Sequence, residues 1–421
     1  MKALYEKKYF NIYVIILALN AALLPTTELF EVKALSFASV LLLAWYLLTG
    51  NWKNRWHQIR HNKFLWLFTS LYLVNLITIW YSDNSDDGSD LLVRKLPLLL
   101  LPVIIATAPR LSKGHIHGLL LVFVSSMFLI SLYTFREGVT ILLDKNDLTN
   151  LLRLVPLHRP YLGMYSVLAF LIIIHFLKYK IHWIVKSVAL LLAAYFLFYT
   201  YAVHAKMAIV ALAILSPIII FIYVARRINI YLSLLMFIAS LIVGIYLIKT
   251  NDQLKTIYSK ITTFEDFSYE EYNIHLVSSI NIRYINWGCS LEIIKRDNNW
   301  LTGLGVGAPK DQLLECYERK NPWIFGQKHN AHNEYLEEML RNGIVGFGLL
   351  FASLAIAFGF SIYYQKYLYT SFILLFALCC IAESMLSRQA GIMFYAFFNS
   401  IFMFSLFSTE TKKDIKTAYP A

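Results

Sequence analysis

The chain has 421 residues, of which 58% are hydrophobic and 15% charged, with a formal net charge of +12. A water-soluble domain runs near half apolar and a quarter charged, so the surplus here, with a mean hydropathy of +0.56, must face lipid. A soluble globular protein is excluded. So is a transmembrane β-barrel, because apolar runs such as 96–106 and 188–198 are long and continuous where a barrel needs short alternating strands.

The expected fold is all-α, a polytopic membrane protein with one large, partly helical outer loop. Residues 1–8 are basic and lead into an apolar run with no small-residue cleavage site, so 11–24 is expected to be a retained first helix rather than a signal peptide. Expected spans lie at 10–24, 34–48, 64–81, 96–108, 116–133, 161–177, 184–203, 207–224, 231–248, 345–363, 368–382 and 391–407, which makes about twelve at roughly 20 residues each. The organisation follows: a membrane domain over 1–249 with nine helices, a loop over 250–343, three more helices over 344–408, and a tail over 409–421.

Basic residues fall in alternate connections: Lys2, Lys7 and Lys8, then Lys53, Arg55, Arg60 and Lys63, then Arg110 and Lys113, Lys178 and Lys180, Arg226 and Arg227, Lys366, and Lys412, Lys413 and Lys416. The positive-inside rule makes these connections and both termini cytoplasmic. The net charge is then mostly topological, and no nucleic-acid partner is expected. On the opposite face lie the mildly acidic connection 26–32, the stretch with Asp83, Asp86, Asp87 and Asp90, and the loop 250–343, whose size makes it the expected seat of chemistry. Cys289 and Cys316 lie in that loop, where an oxidising exterior permits a disulfide. Buried free thiols are the plainer reading for them.

Two motifs fail on inspection. The run from Asp83 to Gly88 resembles the opening of a calcium loop, but Arg94 stands where a bidentate Glu is required. Gly303, Gly305 and Gly307 fit a dinucleotide fingerprint in form only, since no βαβ unit surrounds them and Pro309 follows, so they read as a tight, flexible turn. With no Walker lysine and no zinc spacing, neither a cofactor nor a metal is expected.

Charged or titratable residues collect at the outer ends of the spans, where burial is costly. His158 and Arg159 open the sixth span, His204 and Lys206 fill the connection before Met207, Arg94 and Lys95 open the fourth, and Glu383 and Arg388 bracket the last outer turn. Taken singly, each also reads as a snorkelling anchor. In the loop, Arg283 is expected at a helix start, where free N–H groups help it hold an anion, and Trp287, Leu291 and Ile294 follow at helical spacing; a salt bridge is the bland alternative. The densest signal runs from His329 through His332, Asn333, Glu337 and Glu338 to Gly343 and Gly346. On a helix His332 would sit beside Leu336, with Asn333 and Glu337 forming a polar stripe and the two glycines allowing close helix contact. An imidazole at the water–lipid boundary suits general-base work, and a capping or interface histidine is the competing reading.

These residues resemble the O-antigen ligase and polymerase superfamily, membrane glycosyltransferases that use glycans linked to undecaprenyl pyrophosphate. The ligase pattern is His, then Asn, Ser or Gln, nine residues, Gly, two residues, and Gly, Thr or Tyr; His332, Asn333, Gly343 and Gly346 match it throughout. Arg283, Trp287, Gly303, Gly305 and the opening at His158 add context, and the resemblance covers roughly 158–395. It implies metal-independent transfer of a glycan to a lipid A core sugar at the periplasmic face of the bacterial inner membrane. His332 would be the base and Asn333 and Glu337 would orient it, with Arg283 at the reacting centre. Arg159 and Lys206, and more weakly Lys95 and Arg388, would join Arg283 as cations for the pyrophosphate, and His329 would assist or substitute for His332. Fixed cations can stabilise a departing pyrophosphate in a metal's place. The family often has Arg after Ser where this chain has Ala205 and Lys206, and Lys lacks the bidentate fork. An O-antigen polymerase and a protein O-oligosaccharyltransferase share this chemistry and differ in acceptor. A transporter or flippase is the alternative from another class, but no internal repeat is evident and the charges gather at one face rather than the midplane.

Overall fold

The computed structural model describes residues 2–26, 33–145, 158–227, 229–250, 279–296, 299–320 and 330–405. His329, most of the connection 26–32 and the tail 409–421 lie outside the described residues. Among those described the fold is helical without strands. The elements are α1 (Lys2–Leu23), α2 (Lys33–Leu48), α3 (Trp52–His61), α4 (Lys63–Thr78), α5 (Ser85–Lys95), α6 (Pro97–Thr107), α7 (Lys113–Lys145), α8 (Arg159–Phe176), α9 (Trp183–Ala202), α10 (Lys206–Arg227) and α11 (Ile230–Thr250), then α12 (Ser279–Lys295), α13 (Asn299–Thr302), α14 (Pro309–Lys320), α15 (Glu334–Tyr363), α16 (Tyr367–Ala382) and α17 (Gln389–Ser400).

The expected apolar segments coincide with helices, and among the described residues six helices are long and apolar enough to cross a membrane, or seven if the bent pair α2 and α3 counts as one span. Three of the other expected spans are short for local reasons. Helix α6 has 11 residues, with proline at its start and again at Pro102, where the ring removes a backbone donor. Helix α16 has 16 residues and α17 has 12 before the chain passes into a π-helix at Ile401–Ser405. The surface fits lipid, since Ile15, Leu191 and Phe351 are 65%, 71% and 59% exposed, a pattern water would not tolerate over so wide an area.

Between α2 and α3 the chain turns by 112°. Gly50 makes the turn at φ +89, and a Cβ there would collide with the Arg55 guanidinium. Inside the bundle the core is aromatic: Phe123 meets Phe398 edge-on at 4.9 Å, and Tyr165 stacks on Phe394 at 5.0 Å, geometries that add to simple burial.

A second, smaller core lies among α12, α14 and α15 and holds Ile293, Leu313, Tyr317 and Leu340. Cys289 of α12 and Cys316 of α14 are joined there by a disulfide. The free-thiol expectation is thereby corrected: both cysteines face this core from neighbouring helices, with their Cα atoms 5.8 Å apart, within the reach of a bridge.

Helix α15 is two helices meeting at Gly343, whose φ of 59 and ψ of −154 are not helical. Only glycine adopts this conformation without strain. The break leaves carbonyls without helical partners, and the turn at Gly303 supplies donors: Leu304 N–H donates to Leu340 O at 2.7 Å, and Gly305 N–H donates to Arg341 O at 3.0 Å. The turn is tight, as expected, and it is pinned rather than flexible, since Gly307 N–H also donates to Ser82 Oγ at 2.9 Å. Gly343 thus serves a helix break, where its spacing with Gly346 suggested helix contact.

Candidate active site

The site is built on the four residues before α15. Asn333 is the N-cap, its Oδ1 accepting from Tyr335 N–H at 2.9 Å and Leu336 N–H at 3.1 Å, which satisfies two of the helix's orphan donors. His332 precedes the cap at φ 47, a left-handed conformation that is uncommon for a residue with a Cβ. It therefore does not share a helix face with Leu336, as the sequence suggested. Neighbours fix the strained backbone. Ala331 N–H donates to Glu337 Oε2 at 2.8 Å, His332 N–H to Asn330 Oδ1 at 3.1 Å, and Trp287 Nε1–H to His332 O at 3.4 Å. Asn333 and Glu337 thus set the position of His332 through the backbone.

The His332 ring points at Glu383, the residue that ends α16. Its Nδ1 lies 3.2 Å and 3.3 Å from the two carboxylate oxygens. The Glu383 side chain is 5% exposed and that of His332 21%. Burial by itself would raise the Glu383 carboxyl, but the hydrogen bond and charge of His332, followed by the charges of Arg283 and His158, hold it below the usual range. A carboxylate facing Nδ1 selects the tautomer with the proton on Nδ1 and leaves Nε2 as the basic nitrogen. Sequence reasoning noted Glu383 only as a charge at the outer turn. The available signal was an acidic residue closing an apolar helix, where burial demands a partner.

Arg283 lies inside α12, past the helix start at Ser279, so the helix's free N–H groups do not serve it as expected. Its Nε–H donates to Ala382 O at 2.9 Å, which sets the guanidinium beside Glu383. His158 stands at the opening of α8, as the sequence suggested, in the N-cap position and without a side-chain cap bond. Burial, then the Arg388 charge, lower its imidazole, with Glu383 opposing. Arg159 is half-buried at the start of α8; Lys206 is exposed at the start of α10, after a turn in which His204 has φ 54. Arg388 is exposed and acts electrostatically on both His158 and Arg94.

Lys95 is placed differently from expectation. It is fully buried, ion-paired with Glu338, and donates to Asn75 Oδ1 at 3.2 Å. Glu338 in turn accepts from Asn342 Nδ2 at 2.7 Å, and Thr78 Oγ1 donates to Asn342 Oδ1 at 2.7 Å. This network ties α4 and α5 to α15 and occupies Lys95 fully. Glu337 is likewise buried, in an ion pair with Arg341.

The arrangement thus brings together an oriented imidazole, a buried carboxylate behind it and the guanidinium of Arg283, with His158 and Arg388 within electrostatic reach. Chemically it can accept a proton from a hydroxyl and steady negative charge nearby. Among the described residues no three His, Cys, Asp or Glu side chains gather as metal ligands do. No curated protein matches the chain. Residues 188–351 match the family model described as O-antigen ligase. That stretch runs from α9 through Arg283 and the His332 loop into the helix beyond Gly343, and the match supports the resemblance to the O-antigen ligase/polymerase superfamily.

Proposed function

We propose that the protein is a glycosyltransferase that moves a glycan from undecaprenyl pyrophosphate to a lipid A core sugar, with His332 as general base. The observation that carries the reading is the contact between His332 Nδ1 and the buried Glu383 carboxylate. Glu383 orients the ring and stabilises the imidazolium, so that Nε2 takes the proton of the acceptor hydroxyl. The oxygen attacks the anomeric carbon opposite the leaving group and inverts it, and the bond from that carbon to the pyrophosphate oxygen breaks. Arg283, with Arg159 and Lys206 on the spanning helices, stabilises the charge that gathers on the departing pyrophosphate. Fixed cations take the place of a metal, and added chelator should leave the rate unchanged. We further propose about twelve membrane crossings, with both termini cytoplasmic and the site on the periplasmic side of the inner membrane. The disulfide between Cys289 and Cys316 supports that sidedness, because such bonds persist in oxidising compartments.

The test compares host cells carrying the wild-type chain with cells carrying His332→Ala, and profiles lipid-linked glycans, lipopolysaccharide and glycoproteins. Long lipid-linked polymer accumulating beside bare lipid A core is the expected result. Accumulation of single lipid-linked repeats would move the assignment to a polymerase, unmodified proteins would move it to a protein oligosaccharyltransferase, and no change in any pool would overturn glycosyl transfer.

A further inference from the structure

Next to the His332 loop lies a cavity of about 270 Å³ with Asp87, Arg94, Lys310, Asn330, Arg341 and Arg388 in its lining. Four cations thus face one small space with a single carboxylate among the lining side chains. That carboxylate is already engaged, since Lys310 Nζ lies 3.5 Å from Asp87 Oδ2. Arg94 donates from Nε to Asp90 O at 3.2 Å and from Nη1 to Ser387 O at 3.5 Å, both carbonyl acceptors that cancel no charge. Arg388 makes no side-chain hydrogen bond among the described residues, and Arg341 is the most telling of the four. It is 2% exposed, and its Nη2 serves Glu337 and, at 3.2 Å, Ser387 Oγ. Its Nε and Nη1 are buried with no partner among the described residues. An unsatisfied buried guanidinium is costly, and repulsion among clustered cations adds to the cost. Burial, then the charge of Arg341, lower Arg94 from its ordinary value, with Arg388 adding to the effect against Asp90 and Asp87. A bound oxyanion removes both costs, and planar guanidinium forks suit phosphate oxygens.

We infer that this cavity is a phosphate-binding site that holds a phosphate group of a substrate beside the His332–Glu383 pair. Only the choice of which phosphate rests on the glycosyl-transfer reading. The cavity shares two loops with the pair, because Asn330 belongs to the segment that carries His332, and Arg388 ends the outer turn that Glu383 begins. Its other walls come from the segment before α14, from Arg341, which precedes the break at Gly343 in α15, and from the polar helices α5 and α14, which are not among the candidate spans. Arg159 and Lys206, in contrast, sit on helices long or apolar enough to meet a lipid tail. That separation points the cavity toward a phosphate on a polar acceptor, with the lipid diphosphate of the donor as the other source of the same chemistry.

The experiment uses the full chain in detergent and the double variant Arg94→Gln/Lys310→Gln, which leaves the buried Arg341–Glu337 pair intact. Binding of inorganic phosphate and of inorganic pyrophosphate is measured by the shift in thermal midpoint at constant ionic strength. The unliganded midpoint of each protein reports whether the variant is folded, and Arg388→Gln serves as a second, exposed variant. The inferred site requires an affinity loss of roughly tenfold or more for each cation removed. Wild-type affinity for both anions in both variants overturns the site. Where the variants lose affinity, transfer kinetics identify the source: a raised KM for acceptor assigns an acceptor phosphate, and a raised KM for lipid-linked donor assigns the diphosphate. Anion binding is read without turnover, so a failure of the glycosyl-transfer reading, seen as full activity in His332→Ala, remains distinct from a failure of this site.

Discussion

At one end of α4 the bundle buries Arg55, and at the other it buries Arg341, 4% and 2% exposed respectively. Arg55 is surrounded by neutral partners. It donates to the Tyr46 carbonyl and, at 3.4 Å, to Thr49 Oγ1, while its guanidinium lies 3.9 Å from the centre of the Tyr46 ring. Each partner lowers the cost of the charge without attracting anything else. Arg341 is instead ion-paired with Glu337 and within electrostatic reach of Glu338 and of Arg94, and two of its nitrogens have no partner among the described residues. The same side chain is thus a closed fastener at one end of the helix and part of an incomplete charge arrangement at the other. Incomplete satisfaction, rather than burial alone, distinguishes the end where we propose the chemistry.

The largest effect that sharpens this contrast comes from His332→Ala. Removing a general base costs on the order of 10²–10⁴ in turnover, a loss far larger than any that follows from the stability the ring, 21% exposed, takes with it. Purified variant and wild type are compared for transfer rate at equal amounts of folded protein; wild-type turnover would end the base assignment. Arg283→Ala comes next, with a loss on the order of 10²–10³, and Arg283→Lys should lose less because the charge stays. Equal, small losses in the two variants would return Arg283 to holding the Ala382 carbonyl.

Much of this end was legible in the sequence, and the misses share a cause. Hydropathy located the helices because lipid demands long apolar runs, and the motif located His332 because its spacing to Gly343 is local. Asn333 and Glu337 were legible as polar neighbours of His332, though the sequence did not show that their side chains bond the backbone on either side of it. Glu383 was legible as a charge closing an apolar helix, but its partner His332, 51 residues before it, was not. Lys95 looked like a ligand cation because its counter-ion Glu338 is 243 residues away. The disulfide was hidden in the same way, since its 27-residue separation becomes meaningful only once α12 and α14 lie side by side. Gly343 was visible as a small residue, yet the break it permits depends on donors from Leu304 and Gly305 that nothing near Gly343 announces.

Glu383 offers a smaller effect, read in stability against pH. Its carboxyl lies below the ordinary range in the folded protein. A carboxyl depressed by folding stabilises fully above its unfolded value, and the contribution disappears as pH falls through the depressed value. The wild type should therefore lose thermal stability on acidification through and below the ordinary carboxylate range more steeply than Glu383→Gln. At neutral pH the variant should be less stable by about 1.5–3 kcal/mol, the worth of a hydrogen bond to a charged group. Parallel midpoint-versus-pH curves would mean that the His332 contact does not depress the carboxyl.

Arg55→Gln should have the smallest effect on turnover and a clear one on stability, which would divide the two ends most sharply. The substitution removes a charged donor from a carbonyl in the last turns of α2, where helical partners run out, and it removes the guanidinium stacked on Tyr46. Together these are worth about 2–4 kcal/mol, spent on the bend at Gly50 rather than on anything at the far end of α4. That helix has 16 residues, so the lesion lies roughly 24 Å from the far end of the helix. A lowered midpoint with unchanged transfer rate is expected. A fall in rate at temperatures where the variant remains folded would mean that the bend is coupled to His332, and the two buried arginines would then belong to a single device instead of two.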